Sequence, residues 1–172
     1  MVIGDTSLFA IEYFIETPHD DWLSGNFCYV VQGHRIGTYE LPSSITAATT
    51  GIEFLLDNSG HRYMPKLLAV SPTEMFHTVH DALYKDDSRS TEVVIADGER
   101  FRRFQAIAKG SAICFDGWAA YLVESTTLER FVSNKSKGNH VDLLAVDLPP
   151  GLFDSVLRSF VTSIKQVPSR FW

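Results

Sequence analysis

Leu8-Phe9-Ala10-Ile11-Glu12-Tyr13-Phe14-Ile15 is the stretch whose pattern decides the fold. Phe9, Ile11, Tyr13 and Ile15 recur at period two, so one side of the segment is wholly apolar, as in a strand with one face on a core. Thr17-Pro18-His19-Asp20-Asp21 then breaks the run with polar and turn-forming residues. A second strand is expected through Asn26-Phe27-Cys28-Tyr29-Val30-Val31, and Gly33-His34 turns the chain into a third that ends near Leu41. Strands in such quick succession pair antiparallel, because parallel neighbours need a long crossover.

Working outward, the next signals are helical. After Pro42, Ser43 or Ser44 can cap a helix whose apolar stripe is Ile45, Ala48, Ile52, Leu55 and Leu56, closed by Asp57-Asn58-Ser59-Gly60. Ser71-Pro72-Thr73-Glu74 is a capping box: serine as cap, proline at the first helical position, glutamate at the third. Met75, Phe76, Val79 and Leu83 share one face of the helix that follows. Val93-Val94-Ile95-Ala96, then Asp97-Gly98, then Phe101–Ala108 reads as a second hairpin, from β-branched residues and a two-residue turn signal. Further strands are expected at Trp118–Glu124, Leu128–Ser133 and Val141–Leu148, the last two joined by Asn134-Lys135-Ser136-Lys137-Gly138. Beyond Pro149-Pro150-Gly151, the residues Leu152, Phe153, Val156, Leu157, Phe160, Val161 and Ile164 form the clearest helical stripe, with Asp154, Ser155, Arg158, Ser159 and Thr162 facing away. The tail from about residue 168 is expected to fray, with Phe171 and Trp172 available to pack.

No repeat, low-complexity segment or linker interrupts this order. The expectation is a single α+β domain over residues 1–172. It would hold a mainly antiparallel sheet of about six to eight strands, with two to three helices packed against it. A chain of 172 residues that is 45% apolar is long enough to bury a sizeable core.

The net charge of −6 is unevenly spread. Residues 1–60 hold eight acidic residues against one strong base, Arg35, while residues 61–172 balance to +1. Such a chain is a poor candidate for nucleic-acid phosphates. The acidic half is either a solvated face or an electrostatic surface that steers a cationic protein partner. No apolar run approaches the length of a membrane span. The start lacks a basic n-region, and Cys28 and Cys114 show no disulfide or redox spacing, so the reading is a cytoplasmic protein with reduced, buried thiols.

Signatures of phosphate loops and hydrolase elbows are missing. One constellation remains: Glu74, His77, His80 and Asp81, at helical spacings of three and four, put potential ligands on one helix face. It is not a closed four-ligand pattern, and further ligands would have to come from His61 or His140. The alternative is an ordinary polar helix face, with Glu74 serving the cap, and no cofactor is expected. Trp22, Phe27, Tyr29, Trp118 and Tyr121 read as core, or in part as interface anchors. In Arg100-Phe101-Arg102-Arg103-Phe104, a strand would split the arginines between two faces and leave no phosphate track.

Several of these stretches resemble the immunity protein 42 family of bacterial polymorphic-toxin and contact-dependent inhibition systems. They are Ile3-Gly4-Asp5…Phe9-Ala10-Ile11-Glu12; Trp22-Leu23-x-Gly25-x-Phe27 with Gly33 and Ile36-Gly37; Phe115-Asp116-Gly117-Trp118-x-x-Tyr121-Leu122-Val123-Glu124; and Gly151-x-Phe153-Asp154-x-Val156-Leu157. The resemblance is weakest across about residues 61–110. It implies a non-enzymatic protein that binds a cognate toxin domain and blocks its active site. Many such toxins are nucleases with basic grooves, which an acidic surface would fit. The family motifs designate no binding site. From charge and expected exposure, the candidates are Asp20, Asp21, Glu40, Glu53 and Asp57. Rival readings are a metal-dependent enzyme or small-molecule binder on the Glu74/His77/His80/Asp81 face, and a general interaction adaptor. Oligomeric state is not legible.

Overall fold

The computed structural model describes residues 1–16, 22–85, 88–107, 112–135 and 143–167. Strands β1 (Val2–Asp5), β2 (Phe9–Ile15), β3 (Ser24–Val31) and β4 (His34–Ile36) form an antiparallel sheet in chain order, and the short β5 (Ser43–Ser44) pairs with the start of β3. Phe9, Ile11 and Tyr13 of β2 are buried on one face, as their alternation predicts. The β3–β4 turn is Gln32-Gly33, one residue earlier than expected, and β4 ends at Ile36, well short of Leu41. Both turn residues have positive φ (48° and 79°), the geometry whose twist matches a two-residue hairpin. In the Trp22-Leu23-x-Gly25-x-Phe27 motif, a Cβ at Gly25 would fall 1.9 Å from the carbonyl oxygen of Phe14, so only glycine lets β2 and β3 pair there.

Helix α1 (Ile45–Leu56) is capped by Ser44, whose hydroxyl accepts from the Ala47 N–H at 3.1 Å. A short α2 (Pro65–Leu68) precedes α3 (Pro72–Tyr84), where the Ser71 hydroxyl accepts from the Glu74 N–H, as the capping box predicts.

The expected second hairpin is not formed. Thr91–Phe101 is instead a helix, α4, followed by a 3-10 turn at Arg102–Phe104. A local preference for strand loses to tertiary context, because α4 is clamped to α3. The Arg89 guanidinium donates to the Asp81 and Lys85 carbonyls that end α3, and pairs with Asp97 of α4 at 2.9 Å. Helices therefore outnumber the two or three expected.

Strands β6 (Trp118–Glu124), β7 (Glu129–Lys135) and β8 (Leu144–Leu148) make a second antiparallel sheet rather than extending the first. Asn134 and Lys135, expected in a turn, lengthen β7. Both faces of this sheet are covered. Ala120, Leu122, Phe131, Val146 and Leu148 join the main core, while Ala119, Tyr121, Val123 and Val132 pack under Met75, Phe76 and Val79 of α3.

Helix α5 (Leu152–Lys165) completes the main core. Phe153 lies 4.8 Å from Phe9, and Phe160 lies 5.2 Å from Tyr13, ring centre to ring centre. The stripe from Phe153 to Ile164 is buried as read, but Asp154 is not outward-facing: it is 6% exposed. Its partner explains the difference and is described below. Phe171 and Trp172 lie outside the described residues.

Candidate interaction surface

Placement of the acidic candidates follows from which side of the first sheet each element occupies. Asp20 and Asp21 lie outside the described residues. Glu40 sits 3.6 Å from Arg35, which Glu12 holds through two bonds of 2.9 Å. Glu12 alternates with Ile11 and Tyr13, so this group occupies the sheet face opposite α1 and α5. Glu53, by contrast, is on α1 and pairs with Lys165 of α5. Asp57, at the end of α1, is exposed and enters none of the ion pairs found among the described residues. Glu53 and Asp57 therefore share one helix, and Glu40 lies across the sheet from them.

On the Glu74/His77/His80/Asp81 face, the rival reading, His80 is engaged by the core. His80 Nδ1 is 2.8 Å from the Tyr121 hydroxyl, and its ring stacks on Phe76 at 5.2 Å. Glu74 and His77 are exposed, as is His61, and His140 lies outside the described residues. Among the described residues no three His, Cys, Asp or Glu side chains are placed to hold one metal ion. Cys28 and Cys114 are free and fully buried, and burial pushes both thiols up to about 12. Phe27, Tyr29 and Tyr121 are core, whereas Trp118 is half-buried with the Lys135 ammonium 5.2 Å from its ring, and Trp22 is exposed.

A buried charge cluster went unread in the sequence. Arg62 is 0% exposed. Its Nη1 donates to Glu124 at 2.7 Å and to both oxygens of Asp154 at 3.0 and 3.1 Å, its Nη2 donates to the Leu55 carbonyl at 2.6 Å, and its Nε is buried with no partner among the described residues. One guanidinium thus ties α1, β6 and α5 together. Beside it, Glu129 accepts from the N–H groups of Gly151 and Phe153 at 2.5 and 3.2 Å. It supplies the N-terminal cap of α5 that Gly151, having no side chain, lacks. Burial raises the Glu129 pKa above its usual 4.5, with help from the nearby Glu124 and Asp154 charges and against the two N–H bonds. The motif residues Glu124, Gly151 and Asp154 are therefore occupied by the fold itself.

A concave feature lies between α1 and α4. A cleft of about 480 Å³ has Phe54 and Asn58 on one wall and Val94, Ile95 and Gly98 on the other, with Arg102 and Arg103 at one end. Phe54, Val94 and Ile95 are each 43–57% exposed, large apolar side chains with no core to enter. Arg100 and Arg103 lie over the rings of Phe101 and Phe104, at 5.2 and 5.0 Å. Both phenylalanines are buried, so these arginines sit on a helix end and a 3-10 turn, not on the two faces of a strand.

No helix among the described residues is long and apolar enough to cross a membrane. A search of curated proteins finds no relative of this sequence. Among solved structures, CdiI from Burkholderia dolosa AUO158 is similar over 95% of this chain and 99% of that one, with a TM-score of 0.67 at 15% identity. That likeness is one of fold. The family model of immunity protein 42 matches residues 1–163, which takes in every motif quoted from β1 to α5. The chain belongs to the immunity protein 42 family.

Proposed function

We propose that this immunity protein binds a cognate toxin domain inside the producing cell and blocks its active site, using the acid of its first sixty residues against a basic substrate groove. The family match over residues 1–163 carries the reading, and the solved protein of the same fold is itself a CdiI. The balance of eight acidic residues to Arg35 in residues 1–60 supports the electrostatic part. A negative surface raises the encounter rate with a cationic groove and occupies the place of nucleic acid, so a nuclease is the toxin class it suits. Asp57, exposed and outside every ion pair found among the described residues, presents this charge on α1, while Glu53 beside it is shared with Lys165. Asp20 and Asp21 add to it in sequence.

The test is co-expression of a candidate toxin domain, sought in the open reading frame directly upstream, with the wild-type protein or with an Asp20/Asp21/Glu53/Asp57 charge-reversed variant. Wild type should restore growth and the variant should lose protection. Undiminished protection by the variant removes the acidic surface from the account. No protection by wild type removes the immunity reading for that toxin.

A further inference from the structure

We propose that the α1–α4 cleft is where the toxin docks, and that it takes a segment carrying an apolar side chain beside a carboxylate. This rests on the immunity reading above and adds to its acidic surface a second contact of different chemistry.

Helix α4 has an unusual economy. Phe101 is its only buried residue, while Val93, Val94 and Ile95 stand 43–57% exposed. Burying such side chains stabilises a fold, and here the fold leaves them in water. Opposite, α1 buries Ile45, Ala48, Ile52 and Leu55 but turns Phe54 outward, 54% exposed, into the same cleft. Phe54 and the arginines of the lining are of residue types enriched at interfaces, and Val94 and Ile95 add apolar area beside them.

Charge selects the occupant. Arg35, Arg62, Arg89 and Arg130 each pair with a carboxylate. Arg100, Arg102 and Arg103 enter none of the ion pairs found among the described residues, and the buried Nε of Arg103 has no hydrogen-bond partner. Arg102 and Arg103 line the cleft, with Glu99 the one acidic side chain among the described lining residues. The cleft is therefore apolar with a net positive charge on its α4 side, which an apolar segment bearing a carboxylate complements and a uniformly basic one does not. Asp57, one helical turn from Phe54, lies outside the lining and belongs to the acidic surface proposed above.

The experiment is calorimetry of the purified chain against the purified toxin domain that it protects against in co-expression, with variants Ile95→Glu and Arg102→Glu. Circular dichroism and melting curves check that each is folded. Ile95→Glu should weaken binding about 30-fold or more, the size expected of a hot-spot residue. Arg102→Glu should cost about two- to five-fold, as exposed charges do. Tight binding by wild type with undiminished binding by folded Ile95→Glu overturns the cleft and leaves the immunity reading standing. Absence of binding by wild type overturns both. Should Ile95→Glu fail to fold, hydrogen exchange of the wild-type complex decides. Protection concentrated at residues 54–58 and 91–104 supports the cleft, and protection confined elsewhere overturns it.

Discussion

Helices α5 and α4 are of similar length, 14 and 11 residues, and spend their apolar side chains in opposite ways. Seven residues of α5 are buried, from Phe153 to Ile164, the carboxylate of Asp154 among them. α4 buries Phe101 alone and shows Val93, Val94 and Ile95 to solvent. The first helix is explained by the stability of the fold. The second is not, and a protein that keeps apolar surface without a folding return is displaying it for something else.

The largest effect that tests this contrast is Phe160→Ala. Phe160 is fully buried against Tyr13 and Phe27, so the variant should lose about 3–5 kcal/mol in urea unfolding. A loss no larger than that of an exposed residue would break the comparison. Arg62→Met should cost about 3–5 kcal/mol by the same measurement, since it leaves Glu124 and Asp154 buried without their counter-charge.

Glu129 gives the pH signature of α5. Its pKa is raised in the fold, so the folded state holds the proton more tightly than the unfolded chain. The stability linked to that proton is present in full below 4.5 and is lost as pH rises through the folded value. Against Glu129→Gln, the wild type should therefore lose relative stability as pH climbs from about 4.5. A difference that is flat with pH would show that Glu129 is not buried as described.

The smallest effect belongs to α4 and has the opposite sign. Gly98 sits mid-helix, and an added Cβ meets nothing within 4 Å. Gly98→Ala should raise stability by about 0.5–1 kcal/mol, seen as a higher melting temperature. A destabilising result would mean that the cleft wall at Gly98 is already in contact with something.

The same pair of helices shows which parts of the fold were legible. α5 declares itself because burial leaves a periodic stripe, as it does for Phe9, Ile11 and Tyr13 of β2. α4 is misread because an exposed helix leaves no stripe. What remains is local preference, and Val93-Val94-Ile95 before Asp97-Gly98 prefers a hairpin. Asp154 is misplaced for another reason: a carboxylate on the polar side of a stripe reads as solvent-facing unless its partner is known, and Arg62 lies 92 residues away. The Glu129 cap of α5 is hidden in the same way, 22 residues from Gly151. The acidic surface was read from charge alone, which counts residues without saying on which side of a sheet they stand, so Glu40 and Glu53 were grouped although the sheet lies between them.

The contact between Phe9 and Phe153 also sets the order in which this protein can be made. Synthesis runs from the N-terminus, so β1, β2 and β3 precede the α5 residues Phe153 and Phe160 that pack on Phe9 and Tyr13. Until those residues arrive this side of the sheet is incompletely covered, a surface prone to associate with other chains. Closure of the core is thus a late, long-range event. Removing α5 would not trim the molecule but would return its oldest strands to the state they occupied before synthesis was finished.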